Sequence, residues 1–172
     1  MDSTRAWLRD LLGDQDPTEV LRTTPTRLEA WASDRETVWD VPWRPGGWTA
    51  RTIVAHLCDR EIGFAFRARN VVSAAHPPHV VQTYDPDAWS ADYARLDPAL
   101  AVEAFRGLRA WNLAWLARRD LQDWLRPYRH PERAGEETLD EMVRDLAGHD
   151  LHHLNQLAIT QGEAGPAGAH SA

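Results

Sequence analysis

The stretch TLDEMVRDLAGHDLHHLNQL, Thr138 to Leu157, combines a helix-start signal, an apolar stripe and three of the eight histidines of a 172-residue chain. Thr138 followed three residues later by Glu141 has the spacing of a capping box, in which each side chain satisfies the other's backbone N–H. The spacing predicts a helix from Thr138 to near Gly162. At about 100° per residue, with His149 at zero, Met142, Leu146, Leu139, Leu157 and Val143 fall in one arc, which must face a core. His149 lies at the edge of that arc and His153 about 40° inside it. His152 diverges to the other side, beside Glu141 and Asp145, on the face expected to be wet. His149 and His153 therefore point the same way, one turn apart.

Three further long helices are expected upstream. The first covers Thr18 to Ser33, with a short helix over Thr4 to Leu12 as a candidate before it. Asp34 to Gly47 contains VPWRPGG and reads as a loop. The second helix starts from a cap at Thr49 (or Trp48) and runs to about Ala75. His76 to Asp97 follows, with three prolines, a length usually reserved for crossings or lids; HVVQTY within it is the one weak strand candidate. The third helix has Asp97 as cap and Pro98 at its first position, and continues to about Arg119. Four such helices bury their stripes most simply as an all-α four-helix bundle. The long connection can span a helix length, so helices two and three run parallel and the topology is up-down-down-up. We expect a single domain over residues 1–165, with residues 166–172 as a frayed tail.

Charge and composition exclude several classes. The net charge is −7 with scattered acidic residues, which gives no electrostatic footprint for nucleic acid. No apolar run approaches the ~20 residues of a membrane span, and the N-terminus MDSTRAWLRD lacks a signal core; a cytoplasmic location with no membrane partner is expected. The lone Cys58 excludes an internal disulfide or a multi-thiolate metal site, and its angle on helix two makes it a packing residue. The nine tryptophans suit a core or the wall of a pocket; Trp31, Trp39, Trp43 and Trp48 gather about one connection, and Trp111 and Trp115, one turn apart, read as core.

Two imidazoles one turn apart reach a single ion but make a poor site alone. The best third ligand is His56, mid-way along helix two at the border of the stripe formed by Ile53, Leu57 and Phe64. An HxxxH pair is equally at home on a surface, so two readings stand: a capping pair, or a metal centre of His56, His149 and His153. Buried imidazoles without partners are costly, and three converging on one core favour the metal. His76, His79, His130 and His170 lie in loops or the tail and read as solvated. On helix two His56, Arg60, Gly63 and Arg67 form one stripe. Arg60 is placed to hold a carboxylate of a thiol or acidic substrate, or else is solvated or paired with Asp59 or Glu61. Gln156 lines up with the ligand stripe and can hydrogen-bond a bound molecule. Asp150, near the centre of the apolar arc, needs an arginine or a ligand imidazole as partner, or pairs helices.

These motifs resemble a known family. GGWTARTIVAHLCDRE is similar to the second-helix signature of the DinB/YfiT-like metalloproteins, where Trp-Ser/Thr precedes His-Leu. YDPDAWSADYARLDPALAVEAFRGLRAWNLAWL resembles their crossover and third helix, and RHPERAGEETLDEMVRDLAGHDLHHLNQL their closing segment. The resemblance spans about Trp43 to Leu157. It implies a four-helix bundle, a divalent metal (zinc first, nickel second) held by His56, His149 and His153, a homodimer, and use of a low-molecular-weight thiol such as bacillithiol or mycothiol on an electrophilic small molecule, in stress response or detoxification. The competing expectations are a metal-binding stress protein without chemistry, and a metal-dependent hydrolase whose base would be Asp59, Glu61 or Asp150.

Overall fold

The computed structural model of the protein describes residues 3–34 and 37–162. The expected tail from 166 onward, with His170, lies outside the described residues. The helices are α1 (Ser3–Leu12), α2 (Pro17–Ala32), α3 (Ala50–Ser73), the short α4 (Pro86–Ser90), α5 (Pro98–Leu116), the short α6 (Leu121–Trp124) and α7 (Leu139–Thr160), with a 3-10 turn at Tyr93–Arg95. The starts follow from the caps. Asp16, Thr49, Asp97 and Thr138 each accept a bond from the first turn of α2, α3, α5 and α7. Thr138 and Glu141 complete the reciprocal capping box.

Two core clusters fix the bundle's directions. One joins Leu28 of α2, Ile53 and Leu57 of α3, Phe105 of α5 and Leu157 of α7. The other joins Leu21, Val71, Leu116 and Leu139, from the opposite ends of the same four helices. Helices α2 and α7 therefore run one way, and α3 and α5 the other, which is the up-down-down-up order. Each of α2 and α7 packs on the other, while α3 packs on both α5 and α7.

A small sheet ties the connections together. Strands β1 (His79–Val80), β2 (Pro127–Arg129) and β3 (Glu137–Thr138) lie in that order, β1 parallel to β2 and β2 antiparallel to β3. The HVVQTY signal thus survives only as two residues, because pairing there serves to anchor the crossover beside the last loop.

Three expectations are corrected by packing. Helix α1 lies along α7, so the face expected to be wet is covered: Asp145 is buried, and His152 is half-buried against the Trp7 ring at 4.6 Å. Gly148 makes this possible, since a Cβ there would collide with the backbone carbonyl of Leu8. Trp111 is 66% exposed and is not core. The inward stripe of α5 is Phe105, Arg109, Asn112 and Leu116, which turns Trp111 outward; Trp115 is half-buried between the Arg69 and Arg119 guanidinium groups, at 4.9 and 4.6 Å. His130, expected to be solvated, is half-buried and lines the main cavity.

The polar half of the α5 stripe completes a buried network. Arg109 donates to Glu61 Oε1 at 2.8 Å, Asp150 Oδ2 at 2.7 Å and the Leu21 carbonyl at 2.9 Å, all fully buried. Asn112 donates to Glu61 Oε2 at 3.0 Å and accepts from Arg69 at 3.1 Å. Of the partners open to Asp150 from the sequence, an arginine is the one found, and it joins α2, α3, α5 and α7 at one level. Cys58 packs against the first cluster as a partly buried side chain.

Candidate metal centre

Helix α7 projects His149 and His153 from successive turns, and antiparallel α3 brings His56 against them. The Nε2 atoms of His56 and His149 are 2.9 Å apart, and those of His149 and His153 3.1 Å. One ring nitrogen from each lies within 4.8 Å of the others, within reach of a single ion, as metal–imidazole bonds of about 2 Å require. Ninety-three residues of sequence separate His56 from His149. His152 is excluded: its ring turns toward Trp7, as the helical angle required.

The electrostatics suit ligands. Burial, together with the positive charge of Arg60 and the other imidazoles, pushes all three rings toward the neutral form; His56 falls to about 3, and His149 and His153 well below the ordinary value. Neutral imidazole is the form a metal binds. Gln156 Oε1 lies 2.8 Å from His153 Nδ1. With the amide oxygen facing the ring, Nδ1 carries the proton and Nε2 keeps its lone pair toward the other two rings. Gln156 thus acts on the His153 ring, and it also borders the cavity, the position from which the sequence reading has it meet a bound molecule. His56 Nδ1 and His149 Nδ1 are buried with no hydrogen-bond partner among the described residues. Three lone-pair nitrogens crowded together inside a protein are poorly satisfied by one another and well satisfied by a cation. The residues therefore fit a divalent metal.

Above the three rings a cavity of about 570 Å³ opens to solvent. Trp48 forms one wall, its ring centroid 4.8 Å from that of His56 and stacked at 6.1 Å on His153. Trp7, Trp43, Tyr84 and Arg60 continue the lining. The three carboxylates weighed as bases from the sequence are engaged elsewhere: Asp59 accepts from the Tyr93 hydroxyl, and Glu61 and Asp150 accept from Arg109. The sequence does not by itself reveal the Gln156–His153 contact, although the position of Gln156 two turns beyond His149 and three residues past His153 is a usable signal.

A helical bundle that brings three histidines together beneath an open cavity has the make-up of a metal-binding helical-bundle protein. The sequence profile of the DinB superfamily matches residues 1–157, and the chain belongs to that superfamily. It is similar to YfiT of Bacillus subtilis, 28% identical over 139 residues that cover 79% of this chain and 77% of that one. A protein of Oceanobacillus iheyensis is 31% identical over 119 residues, covering 67% of this chain and 66% of its own. Both are named "putative metal-dependent hydrolase". The solved structure of Bacillus subtilis YfiT, described as having an unusual four-helix bundle topology, matches with a TM-score of 0.75 at 25% identity, over 86% of this chain and 87% of that one.

Proposed function

We propose that the protein is a metal-dependent transferase that joins a low-molecular-weight thiol to an electrophilic small molecule, in detoxification or stress response. His56, His149 and His153 hold the ion, with zinc the first choice and nickel the second, since imidazole suits both. A divalent metal in this site would lower the pKa of a coordinated thiol or water and supply a nucleophile near neutral pH.

The observation that carries the reading is the pairing of three converging imidazoles with a cavity large enough for a small molecule and its thiol partner. A purely structural ion would need no such opening. Thiol transfer also asks little of the surrounding side chains. The sulfur attacks an electrophilic carbon, a C–S bond forms, the leaving group departs with its electron pair, and the thiol proton passes to solvent. The chain's own contribution is to hold the His153 proton at Nδ1 through Gln156 and to exclude water from one face with Trp48.

Hydrolysis is the second reading, favoured by the names of the two relatives. It requires a base to activate water, and Asp59, Glu61 and Asp150 are committed to other partners. The two readings separate in one assay. Metal-loaded protein is incubated with an aryl halide plus a low-molecular-weight thiol, and in parallel with ester and amide substrates without thiol. Thiol-dependent loss of halide that disappears on chelation and in His149→Ala supports the transferase; chelator-sensitive ester or amide cleavage without thiol rejects it in favour of the hydrolase.

A further inference from the structure

The stripe on α3 that begins at His56 continues as Arg60 and Arg67, four and eleven residues on, roughly 6 and 16 Å along the helix axis at ~1.5 Å per residue. Both guanidinium groups line the same cavity as the three imidazoles. We propose that Arg60 and Arg67 form an oxyanion subsite, so that the cavity takes a small molecule bearing a carboxylate or phosphate at one end and its reacting atom at the metal centre. The assignment of the reacting end rests on the function proposed above; the oxyanion subsite does not.

Arg67 is held in place before any ligand arrives. Its Nε donates to the Gln82 carbonyl at 2.8 Å, and its guanidinium lies 5.3 Å from the Tyr84 ring centroid. Tyr84 in turn stacks on Trp89 at 4.5 Å. Gly63, between the two arginines on the stripe, admits the Tyr84 ring: a Cβ there would stand 3.0 Å from Tyr84 Cε1. The crossover segment after α3 thus braces Arg67 with a carbonyl and an aromatic face, neither of which neutralises it. Arg60 Nε is buried and has no hydrogen-bond partner among the described residues. A buried guanidinium N–H without an acceptor is costly, and a ligand oxygen supplies one.

A further guanidinium, that of Arg133 in the loop between β2 and β3, borders the same space, with the His130 ring just after β2 beside it. Burial and the neighbouring charges of Arg60 and Arg133 weaken the hold of Arg67 on its proton, and burial, Arg133 and Arg67 do the same to His130. Arg133 has Glu137 and Asp145 at 3.8 Å; Glu132 and Asp87, also in the lining, are exposed at the rim. The planar fork of arginine matches carboxylate and phosphate oxygens two at a time, and two such forks beside one cavity select an oxyanion over a neutral or cationic group.

The test is calorimetric titration of the full chain with succinate and, separately, with inorganic phosphate. Metal-loaded wild type, chelator-treated wild type, Arg60→Gln, Arg67→Gln and Arg67→Lys are compared, with circular dichroism to check folding. The expected result is saturable binding of at least one anion, changed less than about threefold by chelation and weakened about tenfold or more in Arg60→Gln and Arg67→Gln. Arg67→Lys keeps the charge but loses the fork, and is expected to bind between wild type and Arg67→Gln. Whichever anion binds more tightly identifies the source of the oxyanion. Absence of binding by either anion overturns the proposal. So does binding that vanishes on chelation and is indifferent to Arg60 and Arg67, which would place the anion on the metal. Anion binding through the arginines without any thiol turnover would leave this subsite standing and remove the transferase reading.

Discussion

Gln156 accepts a hydrogen bond from His153 Nδ1 at 2.8 Å, three residues along the same helix. That bond sets the tautomer of the His153 ring and aims its Nε2 at the other two imidazoles. Partners of this kind are worth about 10- to 100-fold in metal affinity. Gln156→Leu is accordingly expected to weaken zinc binding by that factor, and Gln156→Glu, which retains an acceptor, to weaken it less. Competition against a chromophoric chelator measures both; an unchanged affinity in Gln156→Leu would show that the contact does not orient the ring.

Acid should destabilise the metal-free protein earlier than its carboxylates alone require. His56 is pushed down to about 3 and His152 to about 4, chiefly by burial. The unfolded chain takes up protons on these rings below about pH 6.5, whereas the native state refuses them until far lower pH. Stability therefore falls as pH drops from about 6.5 toward 4, by roughly 1.4 kcal/mol per pH unit for each ring kept neutral. Melting of chelator-treated protein between pH 7 and 5 reads this slope. A flat midpoint over that range would mean the rings are not kept neutral.

Cys58 is poorly suited to act as a reactive thiol. Burial, with Asp59 and Glu61 nearby, pushes it up to about 11, which leaves roughly a hundredfold less thiolate near neutral pH than an ordinary cysteine has. Iodoacetamide at pH 8 should label the native protein at least that much more slowly than the urea-unfolded chain. Equal rates would contradict the buried, packed position.

Arg109 is the sole guanidinium bonded to both Glu61 and Asp150 among the described residues. Removing one member of such a buried set strands the charges left behind, at a cost of about 3–5 kcal/mol. Arg109→Met is expected to lose stability of that order in urea denaturation, and adding Glu61→Gln and Asp150→Asn to recover part of it. A loss below about 1 kcal/mol would place this network outside the determinants of stability.

Much of this architecture was legible because it is written locally. Asp97–Pro98 and Thr138–Glu141 mark helix starts by chemistry confined to one turn, and the angular positions of His149, His152 and His153 follow from helical geometry alone. His56 emerged for the same reason, as a polar residue on the edge of an apolar stripe. What the sequence hid depends on distant chain. Arg109 and Asn112 occupy inward positions of α5, so the stripe lacks an apolar signature and Trp111 reads as core from the sequence; their acceptor Glu61 lies 48 residues from Arg109. The burial of Asp145 and His152 depends on α1 lying across α7 at Gly148, a contact no periodicity reports. The bracing of Arg67 needs the irregular crossover, whose path has no repeating pattern to read.

Three imidazoles far apart in sequence stand close enough to hold one divalent ion. Equilibrium dialysis against zinc and nickel, with elemental analysis, tests this most directly on wild type and on His56→Ala, His149→Ala, His153→Ala and His152→Ala. The expected result is a single chelatable ion per wild-type chain, an affinity reduced about tenfold or more in His56→Ala, His149→Ala and His153→Ala, and a much smaller change in His152→Ala. A wild-type chain that binds no ion, or one whose affinity is indifferent to His56 and His149, would contradict it.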